Sequence, residues 1–232
     1  MIRSFVFNAV FYLSLVIFSS LLIILYPFLK TISLQKLVCI WVHLVLRLLK
    51  VVCRIDWEIE GRENLINYPC IIVSNHQGPW ESLFLQTLVV PSTSIVKKEL
   101  LLIPFFGWGV ACTKPIQVDR TKKFKSLKHV VNEAKLKLKK GFSIILFPEG
   151  TRVKPEKGIQ RFGSSCGLIS YENKVPIIPI CHNSGKYWRN REFRKYPGTV
   201  RLRIGKPIEA LSAKDATSKA YDWVKLNYQE IN

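Results

Sequence analysis

Two short polar clusters carry the residue types that chemistry needs. The first, Asn75-His76-Gln77-Gly78-Pro79-Trp80-Glu81, holds an imidazole with a carboxylate five positions on. The second, Phe147-Pro148-Glu149-Gly150-Thr151-Arg152, is a turn that ends in a guanidinium. An imidazole takes up a proton near neutral pH when it starts neutral and its other nitrogen is held, and a carboxylate bonded to that nitrogen both orients the ring and compensates its charge. His76 and Glu81 are candidates for that pair: Gly78-Pro79 turns the chain, proline suits the first helical position, and Glu81 then falls in a first helical turn from which it can fold back toward His76. The bland alternative is a capping carboxylate beside a satisfied histidine. The Pro-Glu-Gly-Thr turn offers backbone amides, and Arg152 a guanidinium fork, which together suit a phosphate; the alternative is an ordinary turn with a surface arginine. Asp119-Arg120, after Pro115-Ile116-Gln117-Val118, sets a second cation at another strand end.

The clusters need elements to bring them together. Each follows an apolar run, Cys70-Ile71-Ile72-Val73-Ser74 in one case and Phe142-Ser143-Ile144-Ile145-Leu146 in the other. Both therefore leave a sheet edge of the kind where ligands bind in open α/β folds. Strands are expected at 70–74, 94–97, 115–118, 142–147, 176–181 and 199–204, interleaved with helical periodicity, so the fold class is an α/β sandwich with a mixed, largely parallel sheet. Between Lys122 and Lys140, the residues Phe124, Leu127, Val131, Ala134 and Leu138 recur at helical spacing, with lysines elsewhere; this predicts a helix that covers the sheet and solvates its basic face. A serine-capped helix is expected from Ser212 to about Tyr228. Val175-Pro176-Ile177-Ile178-Pro179-Ile180 reads as a buried strand whose prolines restrict it to an edge or an irregular region. Gly163-Ser164-Ser165-Cys166-Gly167 matches the G-x-S-x-G elbow of serine hydrolases, with His182 as the only downstream histidine. No strand-like run precedes it and only Glu172 lies between Ser165 and His182 as an acid, so small residues opening a closely packed helix are the better account.

From Phe5 to Leu29 the chain carries no charge, and as a helix it would run about 37 Å, enough to enter or cross a bilayer. It exceeds the apolar core of a secretory signal, and no small-residue cleavage site closes it. Leu34 to Val52 follows with Leu37, Ile40, Trp41, Leu44, Leu48 and Val51 against a polar stripe of Lys36, His43, Arg47 and Lys50, an interfacial amphipathic pattern. The first segment either spans the membrane or bends back at Pro27 to pair with the second in one leaflet. Lys30, Lys36, Arg47, Lys50, Arg54 and Arg62 outnumber Arg3, which places the remainder at the cell membrane on the cytoplasmic side. The expected division is residues 1–57 as the membrane-anchoring part and 58–232 as the catalytic domain.

The net charge of +19, from 35 Lys and Arg against 16 Asp and Glu, implies anionic company. A 48% hydrophobic composition favours an anionic membrane surface over nucleic acid, and no nucleic-acid-binding signature accompanies the lysines. The six cysteines lack C-x-x-C spacing and suit packed, reduced thiols, while the four histidines show no metal-ligand spacing, so no metal is expected.

Taken together, four blocks in order resemble the glycerolipid acyltransferase family, in particular its 1-acylglycerol-3-phosphate acyltransferases. Asn75-His76 through Glu81 looks like the family's N-H-x-x-x-x-D block, Gly107 through Asp119-Arg120 like its second, Phe147 to Arg152 like its F-P-E-G-T-R third and Val175 to Ile180 like its hydrophobic fourth; Lys97-Lys98-Glu99-Leu100 resembles the approach to the second. The resemblance implies transfer of a fatty acyl group from acyl-CoA or acyl carrier protein to the sn-2 hydroxyl of lysophosphatidate, without a cofactor or a covalent acyl-enzyme. It implies His76 as base and Glu81 as its orienting partner. Arg120, Glu149, Gly150, Thr151 and Arg152 would hold the acceptor phosphate, with Lys97 a further candidate and Glu149 ordering the loop. Amides near Gly78 or Gly150 would serve the oxyanion. Glu81 departs from the family's usual Asp by one methylene, which puts substrate choice in question more than chemistry. The partners implied are a membrane lipid acceptor with a phosphate headgroup and the acyl donor. Alternatives are another lysophospholipid or glycerol 3-phosphate as acceptor, or a non-enzymatic basic membrane scaffold.

Overall fold

Short β-branched runs supply the sheet, and the segments between them supply the helices that cover it. The computed structural model describes residues 1–65, 69–119, 123–209 and 211–232. The strands are β1 (Ile55–Glu60), β2 (Ile71–Ser74), β3 (Ser92–Lys97), β4 (Ile116–Val118), β5 (Ser143–Leu146), β6 (Ile177–His182) and β7 (Gly198–Ile204), and their order in one sheet is β1-β7-β6-β2-β5-β3-β4. Every neighbouring pair is parallel except β6 with β7. This is the mixed, largely parallel sandwich that the strand pattern predicts.

The helices are α1 (Ile2–Leu25), α2 (Thr31–Cys53), α3 (Pro79–Phe84), α4 (Phe106–Cys112), α5 (Lys123–Lys139), α6 (Ser165–Asn173) and α7 (Ala213–Ile231). Period-2 alternation sends Ile72, Ile145, Ile178 and Ile180 to one face, against Phe7 and Phe11 of α1 and Val42, Val45, Leu46 and Leu49 of α2. Ile71, Val73, Ile144 and Ile177 go to the other face, against Val130, Val131 and Ala134 of α5, Ile169 of α6, and Ala216, Ala220 and Val224 of α7. The helices α5 and α7 match their expected spans, and Ser212 caps α7 by accepting from Asp215 N at 3.1 Å.

Several expectations need correction. The strand β6 is interior and fully buried, not an edge. It tolerates Pro179 because that residue's carbonyl accepts from Gly205 N at 2.8 Å, just past the end of β7, so the missing N–H falls where the antiparallel ladder begins. The edge strand β1 escaped prediction although Ile55-Asp56-Trp57-Glu58-Ile59-Glu60 alternates; its outer carboxylates meet Arg201 and Arg203 of β7. Arg54 alone separates β1 from α2. On α2, Ile40, Leu44 and Val51 of the stripe expected at the membrane interface are exposed, while a second apolar side that spacing did not single out, Val42, Val45, Leu46 and Leu49, packs against protein. This helix is apolar on two sides, so periodicity alone could not say which one meets protein.

The chain reverses after α1, and α1 pairs with α2 as a hairpin, Phe18 stacking on Trp41 at 5.3 Å and Trp41 Nε1 donating to Ser14 Oγ at 3.3 Å. Farther along, α1 lies on α4 so closely that a Cβ on Gly109 would stand 2.7 Å from Ser19 Oγ. All six thiols are free, and burial pushes that of Cys181 up to about 12.

Candidate active site

Parallel pairing gathers the polar clusters on one edge. The carboxyl ends of β2, β5, β6, β3 and β4 point the same way, so His76, the Glu149–Arg152 turn, Ser184, Lys97 and Asp119 all emerge there.

Past β2, Pro79 opens α3, and Glu81 in its first turn is fully buried with its side chain folded back. Glu81 Oε1 accepts from Gln77 N at 2.8 Å, Gly78 N at 2.7 Å and His76 Nδ1 at 2.9 Å. The two readings that spacing left open are thus one arrangement, because the capping carboxylate is also the histidine's partner. A carboxylate only accepts, so His76 Nδ1 carries the proton and Nε2 is left as the basic nitrogen. Burial alone would raise the Glu81 carboxyl; against it act the imidazole of His182 and the hydrogen bonds from His76 and the Gly78 amide, and the balance lies at about 2. Glu81 is therefore ionised whenever His76 is asked to take a proton.

Phe147 stacks on the His76 ring at 4.0 Å between centroids and 14° between planes. The turn that follows grips the backbone of His76 from both sides: Glu149 Oε2 accepts from His76 N at 2.7 Å, and Val153 N donates to His76 O at 2.7 Å. Glu149 Oε1 accepts from Gln160 N at 2.9 Å, so this carboxylate ties two loops together. Burial pushes it up to about 7 despite those amides. Gly150, at φ +72, closes the turn with its N–H on Phe147 O at 3.0 Å, a backbone shape that favours glycine. Arg152 Nη1 donates to Asn190 Oδ1 at 3.0 Å, and its guanidinium is within electrostatic reach of Glu81 and Arg191. Thr151 is exposed beside it. Lys97 is exposed at the end of β3, on the same edge but without a hydrogen bond to the turn. Arg120 lies outside the described residues. The amides of Gly78 and Gly150 themselves are engaged, on Glu81 and Phe147, so neither N–H is free to bind an oxyanion.

Other residues of the site escaped sequence reasoning. Ser184 Oγ donates to Glu81 Oε2 at 2.7 Å, with both residues fully buried. His182, also fully buried, donates from Nε2 to Asn75 O at 2.9 Å, and its Nδ1 accepts from Ser184 N at 3.3 Å. The Asn75 side chain completes a reciprocal pair with the His182 backbone at 2.9 and 3.1 Å. Burial pulls the His182 imidazole below its ordinary value, so it is neutral and structural, and it is not available to Ser165. Ser165 opens α6, where a Cβ on Gly167 would stand 1.9 Å from Ala213 O, the close helix packing that the small residues predict. The available signal for Ser184 was its place just past a strand parallel to β2.

A family model described as Acyltransferase matches residues 56–183. The chain belongs to the acyltransferase family. It is 36% identical over 197 residues to a 1-acyl-sn-glycerol-3-phosphate acyltransferase of Pseudomonas aeruginosa, covering 83% of this chain and 76% of that one. It is 34% identical over 165 residues to the Escherichia coli protein of that name and 27% over 164 residues to the Saccharomyces cerevisiae one, spanning 63% and 54% of their lengths and 69% of its own in each case. The crystal structure of the 1-acyl-sn-glycerophosphate (LPA) acyltransferase PlsC from Thermotoga maritima shares the fold, with a TM-score of 0.81 at 22% identity over 99% of this chain and 94% of that one. The chain is an acyltransferase enzyme, and His76 and Glu81 lie within the stretch that the family model matches.

Proposed function

We propose that this acyltransferase moves a fatty acyl group from acyl-CoA or acyl carrier protein to the sn-2 hydroxyl of lysophosphatidate, forming phosphatidate. The observation that carries the reading is the His76 Nδ1 to Glu81 Oε1 contact of 2.9 Å, made beside a turn that ends in Arg152. In the reaction, His76 Nε2 takes the proton of the acceptor hydroxyl as its oxygen attacks the thioester carbonyl carbon. The tetrahedral oxyanion then collapses, the C–S bond breaks, and the imidazolium returns the proton to the departing thiolate. Glu81 does not transfer a proton; it offsets the positive charge that His76 carries between these steps. The steps use only protein groups and the two substrates.

Arg152 and Thr151 hold the acceptor phosphate, with Lys97 at the end of β3 and Arg120, which follows Asp119 in the sequence, as further cations, while Gly150 and Glu149 shape the turn. The shared edge of parallel strands supports this assignment.

The hairpin of α1 and α2, within residues 1–57, anchors the enzyme, and the part from residue 58 onward carries the chemistry. Exposed apolar side chains support a lipid-facing surface: Phe5, Leu13 and Ile24 on α1, Ile40 and Val51 on α2, and Leu102 and Trp108 around α4. The hold on α1 near both ends, by Ser4 on Lys195 and by the close packing of Ser19 on Gly109, supports a helix that lies in one leaflet of the cell membrane over one that threads through it. Lys30, Lys36, Arg47, Lys50, Arg54 and Arg62, against Arg3 alone ahead of the apolar segment, support a catalytic part on the cytoplasmic, anionic face.

The test is transfer of a labelled acyl group from acyl-CoA, and in parallel from acyl carrier protein, to lysophosphatidate, glycerol 3-phosphate and lysophosphatidylcholine. Phosphatidate formed by wild type and lost in a folded His76→Ala protein is the expected result. Product with another acceptor alone would overturn the substrate, and product unchanged in His76→Ala would overturn the base.

A further inference from the structure

Ser4 and Asn8 are polar residues in a largely apolar helix, and both are buried, 3% and 7% exposed. Ser4 Oγ accepts from Lys195 N at 2.9 Å, and Asn8 Nδ2 donates to Phe193 O at 3.0 Å. Between these contacts Phe7 meets the Trp188 indole edge-on at 5.2 Å, and Phe11, one turn later, meets it edge-on at 5.4 Å. The Lys195 ammonium lies 5.5 Å from the Trp188 ring. Phe7 and Phe11 of α1, with the Lys195 ammonium, thus build three sides of a box around one indole, which is 4% exposed.

The backbone of Trp188 reaches the active site at two points. Its amide donates to Ser184 O at 3.0 Å. Its carbonyl lies so close to Gly78 that a Cβ there would stand 2.3 Å from the oxygen. Ser184 and Gly78 are donors to opposite oxygens of Glu81, each at 2.7 Å. One residue therefore backs both ends of the carboxylate that holds His76.

We propose that Phe7 and Phe11, acting through Trp188, are positioning residues for Glu81 and His76, so that the N-terminal helix is a working part of the catalytic site as well as an anchor. The proposal rests on the reading of His76 and Glu81 as the acyl-transfer pair. Without the aromatic box, the 184–188 turn and the start of α3 lose their common support, Glu81 drifts, and the imidazole loses the alignment on which proton transfer depends. None of the three aromatics is placed to touch substrate, so the cost falls on turnover and not on binding.

The experiment uses the full chain in vesicles of phosphatidylethanolamine and phosphatidylglycerol. Phe11→Ala and Trp188→Ala are compared with the conservative Phe11→Leu and Trp188→Phe, and with Phe5→Ala and Leu13→Ala, whose side chains are 65% and 63% exposed on the same helix. Vesicle flotation and near-ultraviolet circular dichroism normalise kcat to bound, folded enzyme, and proton NMR follows the low-field Nδ1–H of His76, assigned by its loss in His76→Ala. In Phe11→Ala and Trp188→Ala, kcat falls roughly ten- to a hundredfold, the scale of cost for slight misplacement of a catalytic group. KM stays within about twofold by the same reasoning, the conservative variants recover most of the loss, and the low-field proton shifts or broadens. Phe5→Ala and Leu13→Ala keep kcat. Normalised kcat unchanged in Trp188→Ala, equal losses in the exposed-position variants, or a loss confined to KM would each overturn the proposal. If wild type transferred no acyl group, the functional reading would fail by itself, and an unaltered His76 proton in Trp188→Ala would separately overturn the positioning role.

Discussion

Glu81→Gln isolates charge from shape. The glutamine oxygen can still accept from His76 Nδ1, Gln77 N and Gly78 N, and its NH2 faces Ser184 Oγ, which can rotate to accept. What disappears is the negative charge beside the imidazole. With charge centres about 4 Å apart, the attraction for an imidazolium is about 1 kcal/mol in water and about 4 kcal/mol at an effective dielectric of about 20. From the other direction, exchanging a charge-assisted hydrogen bond for a neutral one forfeits about 1 to 2 kcal/mol. A site with Glu81 fully buried and the His76 side chain 16% exposed belongs toward the upper part of that range, so about 2 to 4 kcal/mol of transition-state stabilisation is lost. That corresponds to a fall of about 30- to 1000-fold in kcat. The lost charge pair forms only as His76 takes the proton of the acceptor hydroxyl, so KM is preserved. Initial rates of acyl transfer over a range of acceptor concentrations, with the unfolding midpoint as control, decide the matter. Turnover within fivefold of wild type, or a loss carried by KM, would refute the claim that Glu81 compensates charge on His76.

Other perturbations test the surroundings of the pair. Ser184→Ala removes the hydroxyl from Glu81 Oε2 and leaves a buried carboxylate oxygen short of a partner, at a cost of about 1 to 3 kcal/mol in urea unfolding; Ser184→Thr recovers it, and equal stability of the alanine and wild-type proteins would contradict the bond. Gly78→Ala drives a methyl into Trp188 O without altering an already extended φ of −158°, so the loss of about 1 to 3 kcal/mol is steric; an unshifted urea midpoint would count against that packing. Glu149→Gln sets an NH2 against one of the two amides that the carboxylate now accepts, so kcat and stability both fall, and full retention of both would exclude the loop-tying role. Burial raises the native Glu149 carboxyl to about 7 from 4.5, so its contribution to stability is fully present below about 4.5 and is lost as pH rises through 7; Glu149→Gln should remove that decline from the urea midpoint measured against pH. For Glu81 the sign reverses: its native value is depressed to about 2, so its contribution is present above about 4.5 and is lost as pH falls toward 2, a window in which Glu81→Gln should flatten the profile.

The chemistry was legible because it resides in residue types at short range. An imidazole and a carboxylate either side of Gly78-Pro79, and a turn closing on Arg152, sit in local geometry that proline and glycine largely impose. Alternation and β-branching likewise marked most strands, and helical spacing marked α5 and α7. What local patterns do not encode is which neighbour each element meets. The two apolar sides of α2 look alike until α1 and the sheet claim one of them, and Pro179 is acceptable inside a sheet because its missing donor falls beside Gly205. Ser184 lies 103 positions from Glu81, and Phe7 and Trp188 lie far apart in the chain, so no periodicity connects them. Sequence alone determined the fold class and singled out His76 with Glu81, and the Glu149–Arg152 turn, as the candidate site, since each depends on residues that are neighbours along the chain. Tertiary structure alone decided that Glu81 is held from both sides, and that the N-terminal helix reaches it through Trp188, because those contacts exist only once parallel strands bring distant loops to one edge.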